Sequence, residues 1–167
     1  MKLCKLLPAA FLLSALVACS PSEQATPLTE TEHGDSGTFK LSGDVKHIMQ
    51  WVLDPAAFGV WKSAGSIITS AGTRELAPTT DEGWLAVEHS AAVVAASGNL
   101  LMMPGRAVDD KAWKDTALGL VDAGLLAQAA AKNQDSDALF DAGGQIYRVC
   151  KACHSVYVRE QEAGDLP

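Results

Sequence analysis

Positive charge is the first thing this chain is short of. Its 167 residues hold 13 Lys and Arg against 20 Asp and Glu, for a formal net charge of −7. That balance offers no electrostatic footprint for a phosphate backbone, so no nucleic-acid partner is expected. A long alternation of apolar and polar residues is also lacking, which removes any demand for an extensive sheet. Cysteine is scarce, with four in all, a number that admits two disulfides, one zinc site or neither. No second Cys or His pair with suitable spacing exists to complete a four-ligand zinc site. At 48% hydrophobic and 20% charged residues, the chain suffices for one ordinary domain with appendages, and a second would be cramped.

What is present begins with Lys2 and Lys5, an apolar stretch from Leu6 to Val17 broken only by Pro8 and Ser14, and then small residues. This is the layout of an export signal, too short to persist as a membrane span. The sequence Leu16-Val17-Ala18-Cys19 resembles the lipobox of bacterial lipoproteins, which implies cleavage before Cys19 and acylation of that cysteine. The alternative is an ordinary signal cut near Ala18. Ser20, not being Asp, resembles the outer-membrane sorting pattern of Gram-negative lipoproteins. On this reading residues 1–18 are signal peptide, and their loss removes Cys4, Lys2 and Lys5 but no acid. The mature chain then has 149 residues and a net charge of −9. Acyl chains at about 0.8 kcal/mol per buried methylene anchor a protein without a transmembrane helix. Residues 19–42, rich in Ser, Thr, Pro, Glu and Gly, form a lipidated flexible tether with a reach on the order of 25 Å. His33, within it, is expected to be solvated.

From Asp44 onward the apolar spacing is helical. A first helix is expected over about Asp44–Ser63 with a kink at Pro55, where a backbone donor is missing. Ser66 to Pro78 is a connection with two short strands around Ala71-Gly72. Thr79 with Glu82 reads as a capping box opening a second helix that ends before Pro104-Gly105. Asp109 or Asp110 caps a third, reaching about Lys132, and Asp135 or Ser136 a fourth, reaching about Glu160. Residues 43–160 are thus the folded domain and 161–167 a tail. The second and third helices are alanine-rich, for which helix propensity is sufficient reason, although small residues also permit close approach. On the third, Trp113, Ala117, Leu120, Gly124, Ala127 and Ala131 form one stripe. Leu118, Leu125 and Leu126 fall outside it, leaving open a homodimer contact or wider burial.

Chemistry is concentrated in Cys150-Lys151-Ala152-Cys153-His154, the c-type haem attachment pattern: two thiols for the vinyl groups and an imidazole for the iron. At about 100° per helical residue, Cys153 falls about 60° to one side of Cys150 and His154 about 40° to the other. Leu139, Gly143, Ile146, Tyr147 and Tyr157 share that face, and Arg148 lies opposite. A redox dithiol would sit near the start of a helix after a strand, not deep in the last helix. For the second axial ligand, Met49 projects with Val45, Ile48, Val52 and Leu53, whereas His47 points to the other side. The competing role for Met49 is that of a flexible core filler. Met102 and Met103 are rivals that need a loop geometry beside Pro104, and His89 is expected at the surface.

A terminal haem motif on an exported, four-helix chain of this length resembles the class II cytochromes c, the group of cytochrome c′ and its low-spin relatives. The likeness spans roughly Asp44 to Glu160. Val45-Lys46-His47-Ile48-Met49 followed by Pro55 and Trp61, and Asn99 to Arg106, are also similar to a lipoprotein-like subgroup. The resemblance implies an all-α, antiparallel four-helix bundle enclosing one haem c, attached through Cys150 and Cys153. His154 is then the proximal iron ligand and Met49, by position, the distal one. A departure is Val158, where the family often has a basic residue, with Arg159 one step later.

The expectation is a periplasmic, membrane-tethered monohaem cytochrome that transfers single electrons and is not an enzyme. Methionine ligation favours the ferrous state and raises the potential relative to bis-histidine ligation. The acidic surface suits redox partner proteins with a basic docking patch. The alternative is a five-coordinate haem protein that binds NO or CO. Arg106, Arg148 and Lys151 are candidate propionate partners, with surface solvation the expected role for each.

Overall fold

The computed structural model describes residues 39–164, with side chains to residue 158. The expectations for the export signal, Cys4, the Cys19 lipidation site, the tether up to residue 38 and the extreme C-terminus lie outside the described residues. The described part is mostly helical with one small hairpin. Among the described residues no helix is long and apolar enough to cross a membrane.

The first helical segment is continuous but changes its winding. Helix α1 (Val45–Ile48) opens on Asp44, whose carboxylate accepts the His47 N–H at 2.7 Å. A π-helical turn follows over Met49–Leu53, and α2 (Asp54–Trp61) completes the segment. The turn has a local cause. Pro55 has no N–H to give the Trp51 carbonyl, and the Asp54 N–H reaches five residues back to the Met49 carbonyl instead. The interruption expected at Pro55 is therefore an extra-wide turn just ahead of it, at a place where such turns are often functional.

Strands β1 (Ser66–Thr69) and β2 (Gly72–Glu75) pair antiparallel with Thr69 opposite Gly72, as the sequence around Ala71-Gly72 suggests. Every hairpin residue is exposed, so the pair contributes no core.

Helix α3 (Asp81–Leu101) starts one residue later than the capping-box reading places it. Thr80, not Thr79, is the cap, its hydroxyl accepting the Gly83 N–H at 3.1 Å. Pro78 fixes this register by lying over Gly83, where a Cβ would come within 2.8 Å of its ring. Helix α4 (Ala112–Lys132) has Lys111, not Asp109 or Asp110, at its N-cap position; Asp109 caps from two residues before it, accepting from the N–H groups of Lys111 and Trp113. Helix α5 (Ser136–Gly164) is capped by Asp135 through the Ala138 N–H, and it runs past the expected end at Glu160.

Helix α3 packs along α4, α4 against α5, and α2 against both α3 and α5. All six stripe residues of α4 are buried. Close backbone approach explains the two glycines here. A Cβ on Gly124 would lie 2.5 Å from the Ala95 nitrogen, and one on Gly98 2.6 Å from the Ala117 oxygen. Leu118, Leu125 and Leu126 are each about half exposed, which removes the wider-burial reading for them.

Candidate functional site

Helix α5 brings the motif to the core from one side. Its inward face carries Leu139, Ala142 and Ile146, all buried. One turn further on, Cys150 and Cys153 are half-buried free thiols and His154 is exposed. From the other side, the π-helical turn presents Met49, half-buried and packed against the core, while His47 is exposed as its helical position predicts. Met49 and Leu53, four residues apart at the two ends of this turn, line the same space.

That space is a narrow cleft, about 370 Å³ including space open to solvent, lined by Met49, Leu53, Leu101, Trp113, Thr116, Ala117, Leu120, Val149, Cys150, Cys153 and His154. Its walls are apolar apart from Thr116, His154 and the thiols. A wider groove of about 1290 Å³, including space open to solvent, adjoins the same residues. Met49, Leu53, Cys150 and His154 line both, and the groove adds Gln50, Asp54, Ala57, Trp61, Tyr147, Lys151 and Ser155.

Electrostatics keep the thiols protonated. Burial pushes the Cys150 thiol up, and the neighbouring Cys153 and Asp54 add to the shift; burial does the same for Cys153. This is the reverse of an activated dithiol, which needs a helix N-terminus or a nearby cation to stabilise the thiolate. Among the described residues no three His, Cys, Asp or Glu side chains gather to hold a metal ion by themselves. Two neutral thiols and an imidazole opening on an apolar cleft, with a thioether facing them, are a donor set that fits a covalently attached haem. The fit rests on the donors and the lining.

Several residues take places that helical periodicity did not disclose. Tyr147 is 57% exposed although it shares the inward arc of α5. It stands edge-on to Trp61, whose Nε1 donates to the Gly143 carbonyl at 3.0 Å. Gly143 lies against the indole, where an added Cβ would come within 3.4 Å of Trp61, an ordinary contact. Trp113 donates from Nε1 to the Leu101 carbonyl at 2.8 Å and packs edge-on against Tyr157. The Tyr157 hydroxyl donates to Asp109 at 2.6 Å, joining the end of α5 to the cap of α4.

Of the candidate propionate partners, Lys151 lines the groove and Arg148 is exposed away from both clefts. Arg106 is not solvated but buried, its guanidinium donating to the Gly43 and Leu100 carbonyls and to the Met103 sulfur. Met102 and Met103 line neither cleft, and His89 is exposed. Comparison with protein-family models, curated proteins and solved structures returns no match.

Proposed function

We propose that this chain is an exported monohaem c-type cytochrome of the class II kind, a four-helix bundle around one haem, that passes single electrons. One observation carries the reading: Met49 from the first helical segment and Cys150, Cys153 and His154 from the last line a single apolar cleft.

Bound haem c supplies a one-electron ferric/ferrous couple. Cys150 and Cys153 would hold it by thioethers, through addition of each thiol S–H across a vinyl group. His154 would be the proximal iron ligand and Met49 the distal one. Leu53, Leu101, Trp113 and Leu120 exclude water, and a dry, thioether-ligated site favours the reduced state. Lys151, which lines the groove, would be the candidate partner for a propionate. If His154 and Met49 both ligate the iron, no position on it would be left for a substrate. Acylation at Cys19 would tether the protein at the periplasmic side of a membrane, with the outer membrane the expected one. Its acidic surface selects redox partners with basic docking patches, whose encounter rates fall with salt.

Absorption spectra of the oxidised and reduced holoprotein test this. The expected result is covalently retained haem, a low-spin spectrum and a methionine-to-iron charge-transfer band that Met49→Ala abolishes. A high-spin spectrum that shifts promptly with carbon monoxide would replace electron transfer with gas binding, and haem lost on denaturing extraction would remove both. Palmitate labelling that persists in Cys19→Ala would count against the tether.

A further inference from the structure

Arg106 is 4% exposed, yet among the described residues no carboxylate meets it. Among the described residues the ion pairs are Lys111 with Asp115 and Lys114 with Asp110. Its charge is satisfied by backbone and sulfur. Nε and Nη2 both donate to the Gly43 carbonyl, at 3.1 and 3.0 Å, and Nη1 donates to the Leu100 carbonyl at 3.0 Å and to Met103 Sδ at 3.2 Å. Burying a cation without a counter-ion is unfavourable. A rigid fork closed on one carbonyl, however, fixes position in a way a lysine cannot.

What it fixes is the start of the Met49-bearing segment. Gly43 stands immediately before Asp44, the cap of α1, and turns the chain there with a φ of +133°. A Cβ on Gly43 would lie 2.6 Å from the His47 ring, so this turn admits no other residue without displacement. The other end of the clamp is Leu100, beside Leu101, which lines the cleft with Met49. The same guanidinium engages the sulfur of Met103, a rival thioether.

We propose that Arg106 is the positioning residue of the distal side: by tying Gly43 to the end of α3 it sets where Met49 stands relative to His154, and it keeps the Met103 sulfur occupied. This rests on the reading of Met49 as an iron ligand. Without the clamp the first helical segment shifts on α3, and Met49 leaves the iron in a larger fraction of molecules.

The test uses the full-length holoprotein with Arg106→Gln, Arg106→Lys, Met49→Ala and Val87→Ala. Val87 is buried in α3 and lines neither cleft, so its truncation lowers stability without touching the clamp. Covalent haem content, the methionine-to-iron band and the rate of carbon monoxide binding to the reduced form are read at a temperature where each variant is folded. Both Arg106 variants should keep the parent's haem content, weaken the band and bind carbon monoxide about tenfold faster, in proportion to the freed fraction. Arg106→Lys should fall between parent and Arg106→Gln, and it carries the test if the glutamine variant does not fold. Parent-like band and rate in both, or an equal change in Val87→Ala, overturns the inference while Met49 ligation stands. A parent that lacks the methionine band, or that Met49→Ala leaves unaltered, removes the ligation and this role together.

Discussion

The seam between α3 and α4 and the seam between the first helical segment and α5 are built from opposite choices. Along the first, Gly98 and Gly124 leave so little between the helices that an added Cβ would strike the facing backbone of Ala117 or Ala95. Along the second stand Met49, Leu53, Trp61, Tyr147, Cys150 and His154, around clefts instead of a closed contact. Small residues thus act as spacing devices where the fold needs density, and bulky or reactive ones hold the other seam apart. The clefts follow from this asymmetry and not from a generally loose core.

The largest way to break the contrast is to thicken the dense seam. Gly124→Leu places a branched side chain against the Ala95 backbone, which no rotamer change relieves. It should cost about 3 kcal/mol, the upper part of the usual overpacking range. Urea denaturation measures this, and a loss under about 1 kcal/mol would show that the seam can open. The reciprocal change on the open side should be milder. Trp113→Phe keeps an aromatic ring in the cleft wall but leaves the Leu101 carbonyl without its indole donor, at about 2 kcal/mol. Met49→Leu, which preserves volume, should cost about 1 kcal/mol or less in protein not carrying haem. In the loaded protein the same change should remove the methionine band. A comparable loss of stability in both forms would make Met49 a packing residue only.

Which parts of this arrangement the sequence makes legible follows from how local each cause is. Asp135 caps α5 through a bond three residues away, and Pro104-Gly105 lies just past the end of α3, so near-neighbour rules find both. The buried stripe of α4 follows from periodicity alone. Thr80 displaces Thr79 as the cap because Pro78 lies over Gly83, a contact that spacing does not encode. Helical-wheel arithmetic places Tyr147 inward, but its ring turns to Trp61 at the groove edge. It also turns Met49 toward the core, where the residue packs, although it assumes regular winding and the chain widens there into a π turn. Arg106 escaped because its partners are carbonyls, one of them 63 residues away. A lone arginine after Pro104-Gly105 carries no local mark of burial.

The two seams meet at Asp109, where the smallest of these effects is expected. Its carboxylate caps α4 through the N–H groups of Lys111 and Trp113 and receives the Tyr157 hydroxyl from α5. The hydrogen bond from Tyr157, followed by that from the Trp113 N–H, lowers its pKa below the ordinary 3.8. A carboxyl whose folded-state pKa is depressed stabilises fully above its unfolded value, and the contribution is lost as pH falls through the folded value. The group is exposed, so the gain is small and screened by salt. Asp109→Asn retains an oxygen for the amide bonds but loses the charge that Tyr157 meets. Parent stability, followed by urea midpoints, should therefore exceed that of Asp109→Asn by a constant margin from neutral pH down to about pH 5. The margin should then shrink in acid below the ordinary carboxyl range. A margin that persists undiminished there would show that the Asp109 charge contributes nothing and that hydrogen-bond geometry alone joins α4 to α5.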